Sequence, residues 1–428
     1  MTQRGLLTMT DTAPKASRPT FDRDFLKLWV AVSGSLAGTQ ITGLAIPLIA
    51  AVSVGASPFQ MGMLAAASQA AYLVVSVPAG LFLDRIRRRP VMIVTDLGCA
   101  LLLLSIPIAS VVGQVGFLQL CVVAAGVGLL GATGEIAHMA YLPSLVFRER
   151  LVSANSKIQV SHSVAESAGP GVGGLLVQVL SAPLAILTDA LSYLVSACLI
   201  SRIEQEERAP GQPATGSLRL SVTEGFGVLT RHPLLRPIVW TSMASTLFSS
   251  GLMALYILYA SRDLELSPVV IGLTFAIGGV CAVPGALLAN RAGRRVGVGP
   301  AILWGWIIEA GAWLLIPLAA GPTGWVVLVL AASRALEGFT GTIANIHQWT
   351  LRQAVTPDRL QGRVTASHRF LVYGSGAVGA LLGGALGSVM DLRMAILLCA
   401  AGAVLARVTA LFSPLGTLHD QPLCAVET

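Results

Sequence analysis

The sequence predicts an all-α integral membrane protein whose twelve transmembrane helices form two parallel six-helix pseudo-repeats. Three observations support this prediction: a membrane-like composition, apolar segments of membrane-spanning length, and two halves with similar sequences. Of the 428 residues, 54% are hydrophobic and 11% are charged, and the mean hydropathy is +0.75. This composition excludes an ordinary water-soluble domain, in which about a quarter of the residues are charged.

The apolar segments are long enough to cross a bilayer. A transmembrane helix needs roughly 20 mostly apolar residues, because the hydrocarbon core is about 30 Å thick and a helix rises about 1.5 Å per residue. Spans 1 to 12 are predicted at 26–54, 58–82, 90–111, 115–142, 155–179, 182–203, 236–260, 267–289, 297–320, 322–348, 364–388 and 391–413. The polar residues before span 1 lack the features of a signal peptide, so we expect this span to stay in the membrane.

The distribution of arginine predicts the orientation. Short loops rich in arginine or lysine remain on the cytoplasmic side of the membrane. Such loops follow spans 2, 4, 6, 8 and 10. In the intervening loops the only cationic residues are Arg262 and Arg393. Both termini are therefore expected in the cytoplasm. Because the cations lie in these loops, the net charge of +7 does not indicate a nucleic-acid partner.

One polar interruption divides the spans into two sets of six. The predicted organisation is a cytoplasmic N-terminal tail (1–25), an N-terminal six-helix bundle (26–203), a cytoplasmic linker (204–235), a C-terminal six-helix bundle (236–413) and a cytoplasmic C-terminal tail (414–428). Within the linker, Leu218 to Leu229 could form a short amphipathic helix at the membrane interface, or the whole linker could be solvated.

The two halves match each other in sequence. Residues 77–89 align with residues 283–295 at an offset of 206 positions, and shorter matches follow at offsets of 207 and 209. A duplicated six-helix unit is typical of secondary transporters, which place the substrate path between the repeats near the middle of the membrane.

These motifs resemble those of the major facilitator superfamily. Residues 80–89 are similar to the family's signature loop between spans 2 and 3, and residues 169–174 are similar to a motif associated with antiporters. Segments 84–97, 141–155, 187–193 and 231–235 resemble the branch that contains enterobactin exporters and macrolide efflux proteins. The resemblance implies two bundles that alternate access to a central cavity.

The resemblance also implies a conformational latch on the cytoplasmic side, in which a charge-assisted network holds one conformation and breaks in another. The latch residues are Gly80, Asp84, Arg85, Arg88 and Arg89, and those of the second-copy loop after span 8 are Asn290, Arg291, Gly293 and Arg294. Asn290 replaces the acid of the first copy, and Arg87 replaces its usual glycine. The alternative is that the arginines only anchor the loop to the cytoplasmic side.

Span 5 carries the antiporter-like motif Gly169, Pro170, Gly173 and Gly174. Proline removes one backbone hydrogen bond from the helix, and the glycines permit bending and close helix approach. We expect a kinked, tightly packed helix at this position. The alternative is generic packing without a role in transport.

Acidic residues inside spans are candidates for proton coupling, because each costs about 2.5–3.5 kcal/mol at mid-membrane unless it is paired or hydrated. Glu135 in span 4 and Glu166 in span 5 are predicted to bind and release protons. The alternative for both is a permanent structural partner. Asp96, Asp189 and Glu309 lie in spans that resemble supporting helices, so we expect them to be structural.

Arg334 and Glu337 in span 10 share a helix face because they are three residues apart. We predict an intramembrane ion pair between them, with substrate recognition or gating as a further role. The substrate-cavity candidates on spans 1 and 7 are Thr39, Gln40, Trp240, Ser245, Ser249 and Tyr256. An apolar cavity with a few aromatic side chains suits a bulky amphipathic compound.

The predicted function is export of a small organic molecule, either a drug-like compound or a secreted metabolite such as a siderophore, by proton antiport across a bacterial inner membrane. The expected partners are this substrate, protons and lipid, and the chain is expected to act alone. The sequence has no P-loop for ATP, no catalytic motif and no metal-ligand spacing among its six cysteines. We therefore expect neither a cofactor nor a metal nor enzymatic activity. An importer or facilitator of the same fold is the main alternative, ahead of a membrane-embedded enzyme or sensor.

Overall fold

A computed structural model of the chain describes residues 18–76, 86–113, 115–147, 150–205, 207, 218–357 and 360–419. Within these ranges the regular secondary structure is entirely helical, and the long helices coincide with the predicted spans. This agreement follows from the apolar composition of the segments, because a helix satisfies every backbone hydrogen bond within a single membrane-spanning segment.

Six long helices form the part of the N-terminal half that the structure describes. Their bounds are α1 (Arg18–Leu48, continued by a π-helical turn at Ile49–Ser53), α2 (Pro58–Ser76), α3 (Arg88–Val111), α4 (Phe117–Leu145), α5 (Leu151–Leu180) and α6 (Ala182–Ser201). Helix α1 packs against α5 and α6, α3 packs against α4 and α6, and α2 packs against α4. This half therefore has its own helical core.

Six more long helices form the C-terminal half. Their bounds are α7 (Leu235–Arg262), α8 (Pro268–Val296), α9 (Val298–Trp313, continued by Leu315–Leu318), α10 (Thr323–Val355), α11 (Gln361–Val389) and α12 (Leu392–Val408). Helix α8 packs against α10, α10 against α9, and α7 against α11 and α12. These pairings surround a polar interior that is described below.

Ten of these helices have the length and hydropathy of membrane spans. Helices α2 and α5 lie outside that set, but both pack as integral members of the bundle and carry most of the contact with the other half. The predicted all-α membrane fold is thus confirmed. The count of twelve crossings and the cytoplasmic side of both termini stay predictions that fit this fold.

The structure corrects the prediction of a loop directly after span 8. The residues assigned to the second-copy loop, Asn290, Arg291, Gly293 and Arg294, lie in the last turns of α8. The chain turns only at Gly297, where φ is +94°. Two arginines in the last turn interact favourably with the negative end of the helix dipole, so the helix continues beyond its apolar part.

The linker contains a helix at Leu218–Arg231, called the linker helix below. It packs against α11 and α7, and its Leu229 is completely buried. Glu224 forms an ion pair with Arg363 at the start of α11. Of the two alternatives for this segment, the structure therefore has the helix, and contacts with the C-terminal half hold it in place.

The two halves meet along two helix pairs, α2 with α11 and α5 with α8. Glycines face each other at both contacts: a Cβ atom on Gly62 would lie 2.9 Å from the Cα of Gly384, and one on Gly174 would lie 3.2 Å from the Cα of Gly272. Gly62 and Gly272 are 210 positions apart, as are Gly174 and Gly384. The two contacts are therefore equivalent under the sequence repeat.

A polar contact joins the halves at the same end of the molecule. The guanidinium of Arg262, the last residue of α7, donates a 2.7 Å hydrogen bond to the carbonyl oxygen of Ala51 in the π-helical turn. The glycine contacts also lie near the beginnings of α2 and α8. The halves thus touch at the end that, in the predicted orientation, faces away from the cytoplasm.

Candidate functional site

The C-terminal half encloses a cavity of about 520 Å³ between α7, α9, α10, α11 and α12. Its polar uncharged lining consists of Thr241, Ser242, Ser245, Thr246 and Ser249 on α7, Thr342, Asn345 and Gln348 on α10, and His368 on α11. Because a helix has 3.6 residues per turn, the five hydroxyl residues of α7 fall on one face of that helix. Local helical periodicity thus gives the cavity one continuous hydroxyl-bearing wall.

One ion pair at this cavity joins two residues of α10. The guanidinium of Arg334 donates a 2.7 Å hydrogen bond to Oε2 of Glu337. The same guanidinium stacks on two aromatic rings, lying 4.3 Å from the ring centre of Tyr256 and 4.4 Å from that of Phe275. Arg334 is only 3% exposed, whereas Glu337 lines the cavity. The rings therefore hold the arginine behind the acid.

A second ion pair joins α9 and α12. Arg407 donates to Oε2 of Glu309 at 2.5 Å, to Oγ of Ser245 at 2.8 Å, and to the carbonyl oxygen of Trp306 at 2.7 Å. A Cβ atom on Gly341 of α10 would lie 2.9 Å from the carboxyl carbon of Glu309. The glycine thus leaves the space that this carboxylate occupies.

Two further polar groups at the cavity wall have no hydrogen-bond partner among the described residues. They are the indole N–H of Trp313 and Nε2 of His368. Trp313 is 4% exposed. Buried polar atoms in proteins are nearly always hydrogen-bonded, so unpartnered groups at a cavity wall indicate a place for a ligand.

The two predicted proton-coupling acids of the N-terminal half, Glu135 and Glu166, lie on α4 and α5. Nδ1 of His162 lies 3.4 Å from Oε1 of Glu166, which is ion-pair distance without good hydrogen-bond geometry. Glu135 lies within electrostatic range of His162 and of Tyr373 on α11. The structure thus brings the two predicted proton-coupling acids near one histidine.

Glu166 faces the space between the halves. On α5, Gly173 contacts α1 and Gly174 contacts α8, and the helical period places Glu166 between these two faces. The opposite side of α5 carries the exposed apolar residues Val164, Val172 and Leu175, as expected for a surface against lipid. The exposed Glu166 side chain is therefore directed to the cleft and not to lipid.

The antiporter-like motif of span 5 lies within one continuous helix. A Cβ atom on Gly169 would lie 2.5 Å from Cβ of Gln40, and one on Gly173 would lie 3.1 Å from Cα of Ile41. Pro170 is inside α5, and its carbonyl oxygen is close to Gly272 of α8. The motif thus packs α5 tightly between α1 of its own half and α8 of the other half.

Most of the predicted latch lies outside the described residues, including Gly80, Asp84 and Arg85. The remaining two arginines are bound within the N-terminal half. The backbone N–H groups of Arg88 and Arg89 donate to the two carboxylate oxygens of Glu207 at 2.7 and 3.2 Å. The Arg89 side chain donates to the carbonyl oxygens of Ile200 and Ser201 at the end of α6. Glu207 therefore caps the N-terminus of α3, an arrangement favoured by the helix dipole.

The predicted substrate-cavity residues are divided between several environments. Ser245 and Ser249 line the C-terminal cavity. Tyr256 is buried, and its hydroxyl lies 3.0 Å from Oγ1 of Thr274. Trp240 is exposed on α7 and is not part of the cavity lining, and Thr39 and Gln40 belong to α1 in the other half.

The acids expected to be structural differ between the halves. Asp189 is fully buried, where it accepts hydrogen bonds from Thr42 of α1 and Ser192, and Asp96 accepts a 2.5 Å bond from Ser196. These contacts hold helices of the N-terminal half together. Glu309, by contrast, lines the cavity beside its arginine.

Arg407 was missed by sequence reasoning. An arginine within an apolar span is a signal in its own right, because intramembrane arginines normally face a cavity or a partner. Its partner Glu309 is 98 residues away in the chain, so no local spacing connects the two.

Comparison with known proteins gives concordant matches. The sequence model of the Major Facilitator Superfamily matches residues 28–366. The chain is 27% identical over 391 residues to the multidrug efflux pump Tap of Mycolicibacterium fortuitum, covering 88% of this chain and 92% of that protein. It is 24% identical over 375 residues to the enterobactin exporter EntS of Escherichia coli, covering 87% and 86%.

Solved structures of transporters share the fold, among them a homologue of ferroportin and a nucleoside transporter. A bacterial homologue of the iron transporter ferroportin, in an inward-facing state, has a TM-score of 0.70 at 17% identity and covers 91% of this chain and 98% of that chain. The nucleoside transporter NupG has a TM-score of 0.69 at 13% identity, with 91% and 98% covered.

Proposed function

The chain belongs to the Major Facilitator Superfamily, and on that premise we propose that it exports a small organic molecule in exchange for protons. It is a multi-pass membrane transporter with an efflux pump and a siderophore exporter among its relatives. The export functions of those relatives support the outward direction of transport. The substrate is a drug-like compound or a secreted metabolite.

The main support for proton coupling is the position of two acids, Glu135 and Glu166, on the side of the N-terminal half that faces the cleft. Among the described residues Glu135 has no hydrogen bond or ion pair, and Glu166 has only His162 within ion-pair distance. An acid without a permanent cation can change its protonation state as its exposure to water changes. Glu135 and Glu166 can therefore exchange protons with whichever side the cleft is open to.

The contact between the halves supports alternating access. The halves touch at one end through glycine-lined helix pairs and the Arg262 hydrogen bond to Ala51. Rocking about the cleft separates these contacts and closes the opposite end, so the site is open to one side at a time. Protonation of the cleft acids favours one of these states and substrate binding favours the other.

The proposal is tested with purified protein in liposomes that carry an imposed pH gradient and a pH-sensitive dye in the lumen. Addition of single compounds from a panel of dyes, antibiotics and siderophores should release protons for at least one compound. Glu135→Gln should reduce this flux at least about tenfold, because the amide cannot take part in proton exchange. Glu265→Gln, in the turn between α7 and α8, is the matched control and should retain full flux.

Two outcomes would contradict the proposal. Transport that is indifferent to the pH gradient, or a fully active Glu135→Gln variant, removes proton antiport. Net movement of compound and protons in the same direction identifies an importer, which was the alternative from the sequence.

A further inference from the structure

Two carboxylates and one guanidinium line the cavity of the C-terminal half, those of Glu309, Glu337 and Arg407. The side chain of Glu337 is 25% exposed while that of Arg334 is 4% exposed. The side chain of Glu309 is 17% exposed while that of Arg407 is 8% exposed. Each acid is thus more exposed than its arginine, and a ligand in the cavity faces two carboxylates and one guanidinium, since Arg334 is not among the lining residues.

Each carboxylate has one oxygen available to a ligand. The hydrogen bonds of the described residues engage Oε2 of Glu337 and Oε2 of Glu309, and they leave Oε1 of both acids unused. Of the Arg407 donors, Nε binds Ser245, and Nη1 binds Glu309 and the carbonyl oxygen of Trp306. An anionic ligand would thus face two carboxylates, with Nη2 of Arg407 as the guanidinium nitrogen of the lining that no hydrogen bond of the described residues engages.

A third polar group at the cavity wall, the indole N–H of Trp313, lacks a hydrogen-bond partner within the described part of the chain. Trp313 lines the cavity, and its indole N–H is buried at the wall without an acceptor among the described residues. Burial of a donor without an acceptor is unfavourable, so a bound molecule with an oxygen acceptor would stabilise it.

We infer that this cavity is the substrate chamber and that it takes an amphipathic organic amine, held as an ammonium ion. The ammonium N–H groups donate to Oε1 of Glu309 and Glu337, and an oxygen of the ligand accepts from the indole of Trp313. A cavity of about 520 Å³ has the size of a small-molecule site. This inference rests on the proposed transport function, for which it names the class of substrate.

Equilibrium binding tests the inference without a proton gradient. The probes are dansylcadaverine, a fluorescent primary amine, and its N-acetyl derivative, which has the same ring system without the charge. Wild-type protein in lipid nanodiscs should bind the amine at least about tenfold more tightly than the acetylated probe, because charge-assisted hydrogen bonds are the stronger ones.

Variants at both acids should remove this preference. Glu309→Gln and Glu337→Gln are each expected to weaken binding of the amine about tenfold and to leave binding of the acetylated probe unchanged. Asp391→Asn, at the start of α12 and outside the cavity, is the matched control and should bind both probes as the wild type does.

A paired variant covers the case in which a single change leaves a buried arginine without its partner and the protein fails to fold. Arg334→Met combined with Glu337→Gln removes both charges, a change that buried ion pairs often tolerate. It should fold and bind the two probes about equally. Retained preference for the amine in this variant and in Glu309→Gln would overturn the inference, as would equal or absent binding of the amine by the wild type.

The two proposals fail in different ways. If the protein binds the amine through Glu309 and Glu337 but shows no compound-driven proton flux, the substrate class is supported and proton antiport is refuted. If the protein shows compound-driven proton flux but binds the two probes equally, proton antiport is supported and the assignment of the cavity to an amine is refuted.

Discussion

The two halves share one repeated helical unit, yet they hold charge in different ways. In the C-terminal half, Glu309 and Glu337 are each bound to an arginine at the wall of a cavity. In the N-terminal half, Glu135 and Glu166 lie at the cleft with no arginine beside them among the described residues. The repeat aligns Glu135 with Thr342, a polar lining residue of the other half's cavity.

This difference shows that the repeat determines where a polar residue lies but not what it does there. A buried ion pair depends on both of its members, because removal of one leaves the charge of the other buried and uncompensated. An acid without a cation can take up a proton when its surroundings become dry. Aligned positions of the two halves thus differ in what they supply: Glu135 supplies an acid at the cleft, and Thr342 supplies a neutral hydroxyl at the cavity wall.

The largest expected effect breaks an ion pair in the C-terminal half. Arg407→Ala leaves the Glu309 carboxylate buried without its cation, and we expect a loss of about 3–5 kcal/mol in the free energy of unfolding. Glu166→Ala in the N-terminal half should change it by less than about 1 kcal/mol, because an exposed pair contributes little. Thermal unfolding in detergent, followed by tryptophan fluorescence, gives both values. Equal losses in the two variants would show that the halves do not differ in how their charges stabilise the fold.

A smaller effect tests the symmetric contact between the halves. Gly384→Ala would place a methyl group 2.8 Å from the carbonyl oxygen of Pro58, and Gly174→Ala would meet the carbonyl oxygen of Pro268. Each change should destabilise the closed end by about 1–3 kcal/mol, as overpacking generally does. Transport rate and cross-linking of cysteine pairs across the closed end measure this effect.

Gly43→Ala in α1 is the control for those variants, because nothing lies within 4 Å of the added Cβ atom there. It should leave transport and cross-linking unchanged. If only one of Gly174→Ala and Gly384→Ala impairs closure, the two glycine contacts are not equivalent, although the sequence repeat relates them.

The smallest effect is the pH dependence of stability at Asp263, which follows Arg262 at the end where the two halves touch. Burial raises the pKa of Asp263 above its ordinary value, with Asp391 as a further cause and Arg262 opposing it. Folding thus disfavours the ionised form, so this residue's contribution to stability falls as pH rises from the unfolded pKa of about 3.9 through the raised folded pKa. Asp263→Asn should slightly raise the unfolding temperature at pH 7, and the gain should disappear below about pH 4. A gain that persists at low pH would show another cause.

The sequence predicted some parts of the site because their signals are local. Arg334 and Glu337 are three residues apart on one helix, so their shared face follows from the helical period. Ser245 and Ser249 were predicted as cavity residues because they are polar residues of span 7, and both line the cavity. Tyr256 was also predicted for the cavity, but it is buried with its ring against the Arg334 guanidinium. Helix packing decides which face of α7 borders the cavity at each turn of the helix.

The amino-acid sequence by itself determined the membrane-spanning helices, the duplicated halves and the family, because hydropathy, repeat spacing and motifs are properties of short segments. Only the tertiary structure brought Arg407 to Glu309 across 98 residues and joined the same arginine to Ser245. Only it showed which acids have a cation and which face the cleft. Such pairings depend on the rotation and depth of each packed helix, and these are set by contacts between segments that are distant in the chain.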